Sequence, residues 1–486
     1  MDLMIPLRTE TDVPLYQQIY EYIRQEIRKG GLQAAVRLPS TRQLAEHLKV
    51  SRSTTQLAYD QLTAEGYIES VPCRGYFVCE TENLLEIPAA GGEEGKGKNG
   101  CCGRPETAAE EEQSGEKSGE EESRCAVDFS PRGIDLDSFP YGVWRKIFRT
   151  TLVDDNREMF LAGDRQGEPA LREAIRGYLH AARGGSCGAD QIVIGAGNEY
   201  LLMLLMSILG KDRTVAMENP TYKQAYRVLA GQGIRVVPVE MDGRGMKPDR
   251  LEESGADIAY VMPSHQFPTG IVMPVRRRQE LLSWAGRKPG RFLIEDDYDS
   301  EFRYRGKPVP ALQGMEREER VIYLGTFSQS VAPAIRISYM VLPRPLSDLY
   351  REKAGFYAST VSRIDQNMLY EFMTGGHFER HLNRMRAVYR SKHDLLLSAL
   401  RPLDGSVEIS GENAGIHLLL THKFMTEEEL RERAGRQGVR VYGLSSYYIG
   451  EPEEKKESRT VLLGYASLTE EQILDGAARL NRAWGR

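Results

Sequence analysis

VIYLGTFSQSVAPAIRISY, residues 321 to 339, decides how the rest of this chain is read. Val321 to Leu324 is a short apolar run, the pattern of a buried strand. Gly325 to Ser328 follows as a tight turn with two hydroxyls, Thr326 and Ser328, and exposed backbone N–H groups, a combination that can hold a phosphate. Arg336 lies seven residues beyond Gln329, within reach of the same anion through a bidentate guanidinium contact. In the middle of this anion-binding layout stands Gln329, whose amide is neither nucleophilic nor basic.

Upstream, apolar strands alternate with helical segments. Strands are expected at 191–194, 214–217, 235–239, 258–262 and 292–295, and helices at 198–209, 222–230 and 277–285. The alternation predicts an α/β unit whose mostly parallel sheet is covered on both faces. Ligands of such sheets lie beyond the carboxyl ends of the strands, so residues just after strands are the candidates. Gly197 and Asn198 close the turn Gly195-Ala-Gly-Asn198, whose N–H groups would meet a phosphate at a helix N-terminus. Tyr222 follows a second strand and His265 a third, in Ser264-His-Gln-Phe-Pro-Thr-Gly270. Asp296 and Tyr298, in Glu295-Asp-Asp-Tyr-Asp299, precede Gln329 by 33 and 31 residues. After about residue 345 the pattern is helical through Leu400. A C-terminal αβ portion follows, with strands near 416–420, 439–441 and 461–463.

These motifs resemble the fold type I aminotransferase-like domain of MocR-type transcriptional regulators, with its G-T-F-S-K-x-x-x-P-x-x-R segment and S-H-Q-x-P-x-G loop. Asp128 to Trp144 is similar to the family's entry arm. Gly163-Asp-Arg-Gln-Gly167 with Leu171 to Ile175 is similar to its Y-G-D-x-x-G and L-R-x-A-I segment. The resemblance implies a pyridoxal 5'-phosphate (PLP) pocket in a large α/β domain, followed by a smaller C-terminal αβ domain. It implies Asp296 on the pyridine nitrogen, which keeps the ring an electron sink, Tyr298 on the phenolic oxygen and Tyr222 stacked on the ring. His265 lines the pocket in a role left open, a hydrogen-bonded structural histidine being the alternative.

Two departures bear on mechanism. The family's covalently bonding lysine is Gln329 here, and Lys307, in a different motif, is not expected to substitute. The arginine that clamps a substrate carboxylate in aminotransferases is matched by Leu462, in Val461-Leu-Leu-Gly-Tyr465. No catalytic residue is therefore assigned. The expectation is a sensor that holds PLP, pyridoxamine phosphate or a PLP-amine adduct non-covalently, or has lost the ligand. An active PLP-dependent aminotransferase with a DNA-binding domain and a ligand-free dimeric repressor are the competing readings.

The first 79 residues carry a different pattern. Leu15, Ile19, Ile23 and Ile27 mark an amphipathic helix from 14 to 29. Ser40 and Gln43 form a capping box at the head of a second helix. Ser51 caps a third that runs to about Glu65, with Leu57, Ala58 and Leu62 expected to face inward. Two short strands, 67–69 and 76–78, complete a winged helix-turn-helix. Leu38-Pro-Ser-Thr-Arg-Gln-Leu-Ala and Val50-Ser-Arg-Ser-Thr-Thr55 closely resemble the GntR-type DNA-binding domain. That resemblance implies promoter DNA as partner. Ser51, Arg52, Ser53, Thr54 and Thr55 would open the recognition helix in the major groove, with Arg42 on phosphate or base and Arg74-Gly75 at the wing tip. Residues 1–79 hold nine basic and nine acidic side chains, but Arg37, Arg42, Lys49, Arg52 and Arg74 fall in the half that would face DNA.

Residues 80–126 hold 13 glutamates against five Lys or Arg, with many Gly and Ser, the composition of a disordered acidic linker. The expected division is 1–79 winged helix, 80–126 linker, 127–375 large domain with its arm, and 376–486 small domain. A net charge of -6 over 486 residues argues against DNA binding by bulk charge, so any contact comes from a local patch. The longest apolar run, 201–209, is too short to span a membrane and no signal peptide opens the chain, so a cytoplasmic location is expected. Six cysteines without C-x-x-C spacing, and an acidic run lacking histidine at 295–299, predict neither a disulfide framework nor a metal site. Like the regulators it resembles, the chain is expected to be a homodimer.

Overall fold

The computed structural model describes residues 5–6, 14–28, 31–33, 35–64, 67–71, 75–79, 125–153, 157–304, 310–411, 414–450 and 458–485. Most of the acidic linker, Arg74 and Lys307 lie outside the described residues.

The N-terminal unit is a winged helix. Helices α1 (Leu15–Arg28), α2 (Thr41–Leu48) and α3 (Arg52–Ala64) precede an antiparallel hairpin of β1 (Ile68–Val71) and β2 (Gly75–Val78). The capping box forms as expected: Gln43 N–H donates to Ser40 Oγ at 3.2 Å, and Ser40 N–H to Gln43 Oε1 at 3.1 Å. Ile19, Ile23, Ala58, Tyr59 and Leu62 are buried in one core. Leu57 corrects an expectation, because it is 40% exposed. The inward face of α3 follows the 3.6-residue period through 55, 58, 59 and 62, and residue 57 falls about 100° away from it.

The second body is built on an eight-stranded sheet. Its elements are β3 (Val127–Asp128), α4 (Tyr141–Val153), α5 (Pro169–Arg183), β4 (Ile192–Gly195), α6 (Asn198–Leu209), β5 (Thr214–Asn219), α7 (Lys223–Gly231), β6 (Arg235–Asp242), β7 (Gly245–Met246), α8 (Pro248–Glu253), β8 (Ile258–Val261), α9 (Val275–Gly286), β9 (Phe292–Asp297), α10 (Leu312–Met315), β10 (Val321–Thr326) and β11 (Ser338–Val341). The strand order is β4-β11-β10-β9-β8-β5-β6-β7. Pairs β10·β9, β9·β8, β8·β5 and β5·β6 are parallel, while β11 runs antiparallel to both neighbours. Burial on both faces explains why β4, β8 and β9 are apolar almost throughout, with β9 becoming acidic only at its carboxyl end.

Helices α11 (Arg344–Lys353), α12 (Arg363–Thr374) and α13 (His377–Leu400) lead to the C-terminal portion, with β12 (Val407–Ser410), β13 (His417–His422), α14 (Glu427–Arg436), β14 (Val439–Arg440), β15 (Tyr442–Gly443), β16 (Thr460–Gly464) and α15 (Glu470–Trp484). Four of its strands form an antiparallel sheet, β12-β13-β16-β15. The arm belongs physically to this portion: β3 pairs with β14, and Val127 and Phe129 are buried in its core. Leu462, where a carboxylate-binding arginine would stand, is fully buried opposite Leu419.

Candidate functional site

The carboxyl ends of β4, β5, β8, β9 and β10 lie at the same edge of the sheet, and Asp296 is central among them. It is the penultimate residue of β9, beside Leu324 of β10, and is 3% exposed. Asn198, at the start of α6, donates from Nδ2 to Asp296 Oδ1 at 3.0 Å, and the Tyr260 hydroxyl donates to Oδ2. Burial pushes the Asp296 carboxyl up to about 7; the Tyr260 hydrogen bond opposes this and the nearby Asp297, Asp299 and Glu199 charges add to it. A carboxyl so placed is stabilised as an anion by any cation that comes to face it.

The wall beside Asp296 is aromatic. Phe267 stands edge-on to Tyr222, Tyr298 and Tyr447, with ring centroids 6.0, 5.9 and 5.2 Å away, and 5.3 Å from His417. The Tyr298 hydroxyl meets His265 Nδ1 at 2.9 Å, and the same nitrogen lies 2.8 Å from Asp299 Oδ2. His265 is thereby a positioning residue for Tyr298, oriented by a buried carboxylate. His417 points Nε2 at the Pro268 carbonyl, 2.9 Å away, and burial lowers it to about 3, so it stays neutral. The C-terminal portion closes this wall through two pairings. Thr221 N–H donates to the Tyr447 carbonyl at 3.0 Å, and Ile449 N–H to Asn219 Oδ1 at 2.8 Å.

The turn Gly325 to Ser328 follows at the carboxyl end of β10. Ser328 N–H donates to Thr326 Oγ1 at 3.1 Å, and Ser338 Oγ donates to the same oxygen at 2.9 Å. Arg336, at φ 53°, sends Nη2 to the Ala196 carbonyl at 3.2 Å and to Glu199 Oε2 at 3.0 Å. Gly197 suits this turn: its φ of 95° is one that L side chains rarely adopt, and a Cβ would sit 2.3 Å from Arg336 Nη2. Gln329 Oε1 is buried without a hydrogen-bond partner, and so is Asn198 Oδ1. Contacts thus join Asn198 to Asp296, Tyr298 to His265, and Arg336 to the turn that holds Gly197, while Tyr222 and Tyr298 both pack on Phe267; Thr326 bonds to Ser328, and Gln329 follows them in the chain. Sequence reading missed Tyr260, Glu199, Thr360, His417 and Tyr447. Glu199 adjoins a chosen residue and Tyr260 lies in the expected strand just before His265, so both carried a usable signal; the others come from distant segments.

In the winged helix, Ser51, Arg52 and Ser53 are exposed at the head of α3, Thr54 is half-exposed, and Arg42 projects beside Glu46 at 3.3 Å. Thr55 is a correction. It is fully buried, and its hydroxyl donates to the Thr41 carbonyl at 2.8 Å, tying α3 to α2 instead of facing outward. Gly75 opens β2 at φ 107°; Arg74 lies outside the described residues.

Two family models match the chain: aminotransferase class I and II over residues 137–480, and bacterial regulatory proteins, gntR family, over 15–78. The HTH-type transcriptional regulator YdeL of Bacillus subtilis is 38% identical over 100% of both chains. The probable rhizopine catabolism regulatory protein MocR of Rhizobium meliloti is 31% identical over 99% of this chain and 96% of its own. The chain belongs to the MocR-type transcriptional regulators. Among solved structures, LysN, an α-aminoadipate aminotransferase from Thermus thermophilus complexed with N-(5'-phosphopyridoxyl)-L-leucine, superimposes with a TM-score of 0.64 at 26% identity, covering 75% of this chain and 93% of that one. As a MocR-type regulator the chain joins a GntR winged helix to a fold type I aminotransferase domain. No helix among the described residues is long and apolar enough to cross a membrane.

Proposed function

We propose that this regulator binds promoter DNA through α3 and the wing and senses PLP, pyridoxamine phosphate or a PLP-amine adduct, held without a covalent bond. The observation that carries the reading is Gln329 inside an otherwise intact phosphate and pyridine frame. In this reading Asp296 meets a pyridinium nitrogen, Tyr298 a phenolic oxygen, Tyr222 a ring face, and Thr326, Ser328 and Arg336 a phosphate.

The residues present fit such a ligand. Gln329 Oε1 and Asn198 Oδ1 are buried acceptors with no protein partner, a costly arrangement that a ligand hydrogen-bond donor relieves. When bound, the cofactor supplies an electron-sink ring and an aldehyde or amine. What these residues do is bind and orient. Gln329 can offer an amide hydrogen bond where a lysine would bond covalently, but it cannot move a proton at neutral pH. Leu462, buried in the C-terminal sheet, gives a carboxylate no ionic partner. Both features favour sensing over turnover.

The reading includes a homodimer. Tyr141, Phe148 and Leu152 lie 57%, 47% and 37% exposed at seven- and four-residue spacing, which aligns them on one face of α4. Phe160 and Leu161 are also exposed in the segment that follows. Clustered exposed apolar groups of this kind mark an association surface.

Titrating full-length protein with PLP and with pyridoxamine phosphate, followed by absorbance and melting temperature, tests the ligand claim. Saturable stabilisation by either is expected. No shift with either compound, together with DNA binding indifferent to both, would establish a ligand-free dimeric repressor instead.

A further inference from the structure

The phosphate side of the pocket is already satisfied from within the chain. Arg336 is held by the Glu199 carboxylate at 3.0 Å as well as by the Ala196 carbonyl. Glu199 stands in the first turn of α6, a 12-residue helix, so its carboxylate also draws on the positive end of the helix. These two attractions are the ones a phosphate at this place would use. The third donor of the turn is engaged too: Ala196 N–H donates to Thr360 Oγ1 at 3.0 Å, across 164 residues of sequence. Gly197 packs directly under the pair, since a Cβ there would lie 2.8 Å from Glu199 Oε2 and 2.3 Å from Arg336 Nη2.

We infer that Glu199 is an internal competitor for the ligand's phosphate, so that a phosphate monoester binds only by displacing the Glu199 carboxylate from Arg336 and the Thr360 hydroxyl from Ala196. The inference rests on the proposed reading of the pocket as a phosphate-ligand site and assigns Glu199 the role of setting its affinity. The physical consequence is a difference. Binding gains a charge-assisted contact between phosphate and guanidinium but gives up one between carboxylate and guanidinium. A sensor benefits from this arrangement, because tight binding at all ligand levels would leave it permanently filled and unable to report a change.

The Arg336 and Glu199 side chains are 53% and 32% exposed, so the pair is partly screened. Deleting its negative member should tighten phosphate binding by roughly fivefold. The test compares wild type and Glu199→Gln, both full-length and checked for unchanged melting temperature without ligand. Each is titrated calorimetrically with pyridoxamine phosphate, inorganic phosphate and unphosphorylated pyridoxamine. The expected result is tighter binding of the two phosphate-bearing probes by Glu199→Gln, with pyridoxamine unaffected. Adding Arg336→Ala to that variant should abolish the gain. Equal affinity of wild type and Glu199→Gln for pyridoxamine phosphate overturns the competitor role while leaving the ligand reading intact. An equal gain for pyridoxamine overturns it as well, by showing a general charge effect. Absence of saturable pyridoxamine phosphate binding in both proteins overturns the ligand reading itself, and the inference with it.

Discussion

Glu218 shows how far one buried side chain governs the molecule's response to pH. It is fully buried at the carboxyl half of β5, accepts Met262 N–H at 3.2 Å through Oε2, and has no hydrogen-bond partner at Oε1. Burial pushes its carboxyl up to about 7, against the hydrogen bonds it accepts. The unfolded chain loses that proton near 4.3, about the ordinary value for glutamate. Between these values the native state holds more protons than the unfolded state, so stability falls as pH rises. The contribution is fully present below about 4.3 and is lost through about 7. Asp296, Glu295 and Glu301, also pushed up to about 7 mainly by burial, act in the same direction. Glu218→Gln keeps shape and removes the titration. Its stability advantage over wild type in urea unfolding should therefore grow from pH 5 to pH 7, reach a few kcal/mol at most, and then level off. Parallel curves for the two proteins would show that Glu218 does not titrate in this window.

At the scale of an element, α3 divides its labour between two faces. Thr55 anchors it to α2, whereas Arg52 and Ser53 are exposed on the outer face. Thr55→Ala should lower the stability of the winged helix by about 1–3 kcal/mol, since the buried Thr41 carbonyl loses a donor, with DNA affinity falling only as the fold fails. Arg52→Ala should leave melting unchanged and weaken duplex binding, lowering the slope of log affinity against log salt by about 1. Electrophoretic mobility measurements over a salt series separate the two outcomes. The same helix shows what the sequence made legible. Capping residues placed the starts of α2 and α3, and apolar runs placed six of the eight strands of the large sheet, together with α6. Leu57 and Thr55 were misread because a general apolar or motif pattern was applied without its angular phase. Strands β7 and β11 were not read from the sequence, and the antiparallel direction of β11 follows only from its pairing with β10 and β4. In the pocket, motif spacing identified Asp296 and Tyr298. The contacts Ala196 to Thr360 and Thr221 to Tyr447 depend on how segments more than 160 residues apart are packed, and no local signal announces them.

For the whole molecule, the proposal joins two surfaces and one pocket: DNA at α3, a second copy at α4, and a ligand between the large sheet and the C-terminal portion. Phe148→Asp places a charge in the apolar face of α4. It should shift the protein from dimer to monomer in analytical ultracentrifugation and weaken binding to a two-site DNA more than to a single site, because paired contacts are lost. An unchanged sedimentation profile would remove α4 from the association surface. The central claim concerns the pocket, a site furnished for a phosphate-bearing pyridine but lacking a covalent anchor. Its most direct test is borohydride reduction of full-length protein saturated with PLP, followed by mass mapping of the peptide containing residues 321–339. The account predicts saturable binding with no reduced adduct in wild type, and a stoichiometric adduct on that peptide after Gln329→Lys. A stoichiometric reducible adduct on any pocket lysine of the wild-type protein would contradict it.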